Sequence, residues 1–119
     1  MTDEIVVIDI FLPFSKNYLM KLGILINTDR RLKHVIGLTE AALARGHEVI
    51  IFIMDSGTKL LVHEALMKLC NLGGVEMSFC DYNAKGFKIS KEGLPSGAVC
   101  GSQYDNALMV NKADRVIVL

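Results

Sequence analysis

Lys21-Leu22-Gly23-Ile24-Leu25-Ile26-Asn27 is an almost unbroken apolar run seven residues long. A strand with one wet face alternates apolar and polar residues, so a run without alternation reads as a strand buried on both faces. That burial is the signature of a parallel sheet covered by helices. The run at 47–54 has the same character and is preceded by Gly46, a stop signal for the helix predicted before it. That helix is expected to start at a cap on Thr28 or Asp29 and to run through Arg45. Its buried stripe is Leu32, Val35, Ile36, Thr39, Ala42 and Leu43 at helical spacing. Asp55-Ser56-Gly57 makes a turn, and a second helix is predicted over 58–71. Its stripe is Leu61, Val62, Ala65, Leu66, Leu69 and Cys70. Gly73-Gly74 ends it. Strands follow at 75–80 and 114–119, separated by a Gly-, Lys- and Ser-rich stretch read as mostly loop with room for one short helix and by a helix from Gly101 or Ser102 to Lys112.

Strands and helices alternating on short connections give a single α/β domain, a three-layer sandwich with a mainly parallel sheet and helices on both faces. Residues 1–20 stand apart as an N-terminal extension whose 4–12 run is strand-like and suited to a sheet edge or a subunit interface. Residues 21–119 form the domain proper.

The chain has 119 residues, 51% of them hydrophobic, and a mean hydropathy of +0.37. That is apolar for one small domain, and the excess predicts burial in an oligomer. Leu38, on the side of its helix away from the stripe, points the same way. Thirteen basic residues balance thirteen acidic ones, so no electrostatic footprint for nucleic acid or an anionic membrane exists. Three cysteines at spacings of ten and twenty fit neither a disulfide framework nor a zinc site, and a reducing, cytoplasmic setting is expected. The acidic start Met1-Thr2-Asp3-Glu4 does not read as a signal peptide, and the run at 5–14, broken by Asp9 and Pro13, is too short to span a bilayer. No Gly-rich phosphate motif occurs, so no cofactor and no metal are expected. Asp29, Asp55 and Asp81 follow three successive strands, as in a metal-dependent phosphoacceptor domain, but each reads more simply as a helix cap.

The chemical interest lies in Gly73-Gly74-Val75-Glu76-Met77-Ser78-Phe79-Cys80-Asp81-Tyr82. Val75, Met77 and Phe79 share one face of this strand, and Cys80 is in phase with Glu76 and Ser78 on the other. Carboxyl ends of parallel strands are where ligands bind. Cys80 is therefore the candidate functional thiol and is expected to be reachable. Cys70 falls on a helix stripe and should be shielded. Cys100, among small residues, should react slowly. Lys59, Tyr82, Lys85 and Cys100 are possible supporting residues, the lysines because positive potential favours a thiolate.

The segments Ala41-Ala42-Leu43-Ala44-Arg45-Gly46-His47-Glu48-Val49, Asp55-Ser56-Gly57 with Leu60-Leu61, Cys80 with Ala84-Lys85-Gly86-Phe87, Gly97-Ala98-Val99, and Ala113 through Leu119 occur in an order that resembles the DsrE/DsrF/DsrH family of sulfur-relay proteins, including its TusD-type subunits. The resemblance covers 21–119. It implies a small flavodoxin-like parallel α/β fold, assembly as a trimer or hexamer, and a sulfur carrier or sulfurtransferase. In such a protein Cys80 accepts sulfur as a persulfide from a donor protein and hands it to an acceptor. Many relatives carry a second cysteine three residues on, where this chain has Asn83. Two other readings stay open: a non-catalytic structural or ligand-binding oligomer, and a redox sensor pairing Cys80 with Cys100.

Overall fold

The structure, a computed structural model, describes the strand Val6–Val7 and residues 19–119. Most of the strand expected at 4–12 lies outside the described residues. Among the described residues six strands form one sheet: β1 (Val6–Val7), β2 (Lys21–Ile26), β3 (Glu48–Ile53), β4 (Val75–Cys80), β5 (Ala98–Gly101) and β6 (Arg115–Val118). Their spatial order is β1-β6-β2-β3-β4-β5. The five strands from β6 to β5 are parallel, and β1 adds antiparallel to β6 through Val6 opposite Val118.

The two faces of the sheet are unequal. Ile24 and Ile26 of β2, Val49, Ile51 and Ile53 of β3, and Met77 and Phe79 of β4 pack on one face. Against them lie Val35, Thr39 and Ala42 of α1 (Leu32–Ala44) and the helical segments that follow β3. The alternate residues Ile50, Phe52 and Cys80 point to the second face, where Met109 of α4 (Gln103–Lys112) and Val116 close a smaller core. Helices thus occupy both faces, but among the described residues α4 is the sole α-helix with a buried residue in the smaller core. Continuing the sheet past β4, Val99 stays half exposed there.

Several boundaries differ from expectation, each for a local reason. Helix α1 begins at Leu32 with Arg31 at its N-cap and without a side-chain cap, so neither Thr28 nor Asp29 serves. Leu38 packs against the main core and does not present a bare apolar side to solvent. The helix predicted over 58–71 is three short pieces: a 3₁₀ segment (Asp55–Val62), α2 (Glu64–Met67) and a second 3₁₀ segment (Lys68–Asn71). His63, in extended backbone at φ −88° and ψ 118°, interrupts it. Because a 3₁₀ helix turns every three residues, the stripe slips. Val62 and Ala65 emerge into solvent, and Met67 takes a buried place beside Leu66, Leu69 and Cys70. The loop-like stretch after Cys80 holds the one short helix it had room for, α3 (Asp81–Gly86), and, unexpectedly, the edge strand β5. Four residues rich in small side chains carry too little β-propensity to be read as a strand, and pairing with β4 decides the matter.

Gly57 is required by space. A Cβ there would come within 2.6 Å of the carbonyl oxygen of Ile26 and 2.9 Å of its Cγ2, both on the central strand β2. Backbone cannot step aside as a flexible side chain does. Gly57→Ala is expected to cost about 1–3 kcal/mol of stability, read as a lower urea midpoint with an unchanged slope.

Candidate functional site

The connections leaving neighbouring strands β4 and β5 go to opposite faces. From β4 the chain enters α3, whose Ala84 is buried in the main core. From β5 it enters α4, whose Met109 lies in the smaller one. Where connections diverge in this way, a crevice opens at the carboxyl ends of the strands. Here it is a cavity of about 700 Å³ whose lining includes Met54, Cys80, Tyr82, Lys85 and Gln103.

Cys80 ends β4 and is the N-cap of α3, its sulfur accepting a hydrogen bond from the backbone N–H of Asn83 at 3.4 Å. The Asn83 side chain reaches the other way: its Oδ1 accepts the N–H of Asp55 at 2.8 Å, tying the turn after β3 to α3. Asp55 needs that support, since it sits at φ 51°, in the left-handed region. No sequence signal assigned this role to Asn83, which was notable only as the place where many relatives have a cysteine.

The N-terminus of α4, on the far wall, is satisfied from within the chain. Ser102 caps it, accepting the N–H of Tyr104 at 3.2 Å, and Asp105 accepts the Ser102 N–H at 2.8 Å. Gly101 makes room for this box, because a Cβ there would run into the Asp105 carboxylate. With a carboxylate already bound, this helix start does not offer itself to an anionic ligand.

The other candidates separate. Tyr82 and Lys85 line the cavity, Tyr82 with 83% of its surface exposed at the rim. Lys59 does not line it: its ammonium lies over the Phe87 ring, 4.9 Å from the centroid. Cys70 is buried and donates to the Met67 carbonyl at 2.9 Å, and burial pushes its thiol up. Accessibility reverses the expected order of the other two thiols. Cys80 is 4% exposed, beneath the cavity floor, whereas Cys100 on the edge strand is exposed. Cys100 stands opposite Phe79 in the parallel register, and Cys80 opposite Gly101. Register partners share a face, so Cys100 points to the main-core side with Phe79 and Cys80 to the α4 side. A disulfide needs its two Cβ atoms about 4 Å apart and facing each other, so an intramolecular Cys80–Cys100 pair requires the backbone to rearrange. The redox-pair reading fails on this geometry.

Asp81 stands beside the thiol as an ion-pair hub. Its Oδ1 lies 2.7 Å from the ammonium of Lys91 and its Oδ2 3.0 Å from that of Lys85. Lys91 first, and Lys85 after it, hold the Asp81 carboxyl down at about 2. The sign follows: a depressed carboxyl keeps its pairing above the ordinary carboxylate range and loses it as pH falls through the folded value. The Asp81 carboxyl, followed by NMR, is expected to titrate near pH 2, and Lys91→Ala to return its midpoint toward the ordinary value of about 4. Because both lysines stand in solvent, with 69% and 42% of their side chains exposed, global stability should hardly respond. Among the described residues no group of three His, Cys, Asp or Glu side chains is placed to hold a metal ion. No described helix is long and apolar enough to cross a membrane.

Sheet order and connections define a parallel α/β domain of the doubly wound class, with a strand-end cysteine in the lining of its crevice. Within that class the chain belongs to the DsrE/DsrF-like family, whose model matches residues 20–119. Two of the solved structures that share the fold illustrate it. The ychN protein from E. coli is 15% identical, with 86% of this chain and 100% of that one covered at a TM-score of 0.64. MTH1491 from Methanobacterium thermoautotrophicum, a protein of unknown function, is 14% identical, with 84% and 99% covered at a TM-score of 0.66. No curated protein matches the sequence.

Proposed function

We propose that the protein is a sulfur carrier of the cytoplasm that holds sulfane sulfur as a persulfide on Cys80 and passes it to a partner protein. The observation that carries this reading is the seat of the Cys80 sulfur: on the cavity floor, receiving the Asn83 N–H, with open volume above it. The Cys80 thiolate attacks the terminal sulfur of a donor persulfide. A new S–S bond forms at Cys80, the donor's S–S bond breaks, and the donor leaves as a thiolate. The added sulfur extends roughly 2 Å from Cys80, into the cavity rather than into packed core. Delivery is the same displacement with the acceptor's thiolate attacking. The 4% exposure of the resting thiol suits a carrier whose outer sulfur, not its inner one, meets the partner.

Incubation with a persulfide donor followed by intact-mass measurement should add one sulfur atom per chain, removable by cyanide. A chain that takes up none is the non-catalytic structural member of the fold. Assembly as a homo-oligomer belongs to the proposal, supported by the exposed apolar side chains of Val99, Tyr104 and Val110 around the thinly covered face. Light scattering at micromolar concentration should return a mass of about three or six chains, and the mass of one chain would overturn that part.

A further inference from the structure

Gln103 and Met54 meet over the carboxyl end of β4. In the sheet, β4 lies between β3 and β5. Met54 follows Ile53, the last residue of β3, and Ile53 stands opposite Phe79, so Met54 comes level with Cys80 on one side. On the other side Gly101 stands opposite Cys80 and ends β5, and Gln103 opens α4 just beyond it. The flanking strands are two strand spacings apart, about 10 Å. Gln103 Nε2 nevertheless donates to the Met54 sulfur at 3.8 Å, so the two side chains span the strand that carries Cys80. All three residues line one cavity, and Met54 packs against the smaller core that holds Cys80. The Gln103 amide is oriented at both ends. Asn106 Nδ2 donates to its oxygen at 3.2 Å. A thioether only accepts, so the end facing Met54 is the NH2 group, and a thioether is a weak acceptor. Other polar side chains of the lining are engaged: Lys85 with the Asp81 carboxylate, Asn83 Oδ1 with the Asp55 N–H, Ser102 with the Tyr104 N–H. Gln103 thus holds over the thiol an N–H donor whose present partner is a poor one.

We propose that Gln103 binds the outer sulfur of the Cys80 persulfide, its Nε2–H leaving the Met54 thioether for that sulfur. The inference rests on the sulfur-carrier reading of Cys80. The added sulfur extends roughly 2 Å from Cys80 into the cavity that these two side chains span. An ionised persulfide carries its charge on this outer atom. A hydrogen bond to an anionic acceptor is roughly twice as strong as one between neutral groups, so exchanging the thioether for the sulfur anion is favourable. Met54 remains beside it as an apolar, polarisable wall. In delivery the acceptor's thiolate attacks the outer sulfur and a new S–S bond forms there. The S–S bond at Cys80 breaks, and its electron pair stays on the Cys80 sulfur, which keeps the Asn83 N–H. The outer sulfur leaves with the acceptor, and Gln103 returns to Met54. Gln103 is itself exposed, so a partner meets the sulfur beside it.

The test equilibrates the full-length protein with glutathione persulfide and glutathione at fixed ratios and reads the loaded fraction of Cys80 by peptide mapping. Gln103→Met keeps the length and bulk of the side chain but removes the donor. It is expected to lower the loading constant about threefold or more. Gln103→Glu, which turns a carboxylate toward the sulfur, should lower it further. Ser102 and Asp105 cap α4 without help from Gln103, so both variants should keep the thermal midpoint of the parent. A loss of loading at an unchanged midpoint is a result that a merely structural role does not give. A loading constant for Gln103→Met equal to that of a parent loaded on Cys80 would overturn this inference and leave the carrier reading standing. A parent that takes up no sulfur would overturn both.

Discussion

Cys80→Ser protein is expected to take up no sulfur from a persulfide donor while keeping its fold, its assembly and its thermal midpoint. Loss of loading follows because a hydroxyl forms no persulfide. Retention of the fold follows from the position of the residue. Cys80 is the N-cap of α3 and accepts the Asn83 N–H, and serine is among the residues best suited to that task. The oxygen is smaller than the sulfur and leaves a little space against Phe52 and Met109, which the cap should offset to within about 1 kcal/mol. Circular dichroism and light scattering on the variant separate a chemical loss from a structural one. Sulfur uptake by the serine variant equal to that of the parent would remove Cys80 from the mechanism.

The largest loss of stability is expected from Phe52→Ala. Phe52 is fully buried at the centre of β3, with Leu25 and Ser78 as its register neighbours, and it faces α4. On the opposite face several helical segments share the packing, but among the described residues the smaller core has only Met109, Val116, Ile50 and Cys80 as its other buried members. Truncating the ring leaves a cavity that α4 alone must close. A cost of about 3–5 kcal/mol is expected, and a thermal midpoint lower by more than roughly 10 °C. Cys80 should also become more open to alkylation, because its packing partner is gone. A cost below about 1 kcal/mol would mean that α4 does not seal this face.

The sheet was legible because its central strands advertise themselves. The runs in β2 and β3 are apolar on both faces, the stripe of α1 appears at its expected spacing although its start does not, and the last helix appears where capping puts it. The second helix was misread because a 3₁₀ segment shares the composition of an α-helix but not its period, and His63 gives no warning of the break. Strand β5 was missed because Ala98-Val99-Cys100-Gly101 becomes a strand only through its ladder with Met77 to Cys80.

The candidate site divides the same way. The phase of Cys80 relative to Glu76 and Ser78 was readable from alternation, and the structure puts it on that face. Its depth was not readable, since the cover comes from an element more than twenty residues away. The separation of Lys59 from the cavity and the pairing of Lys91 with Asp81 depend on how the 87–97 segment folds back. Local sequence does not encode that path.

One measurement bears most directly on the carrier proposal: the location of the bound sulfur in the unaltered protein. After loading, the protein is alkylated, digested and mapped, so that an alkylated persulfide marks the residue that held the sulfur. The account predicts the persulfide on the peptide containing Cys80 and none on that containing Cys70. A persulfide confined to Cys100, or absent from all three peptides, would contradict it.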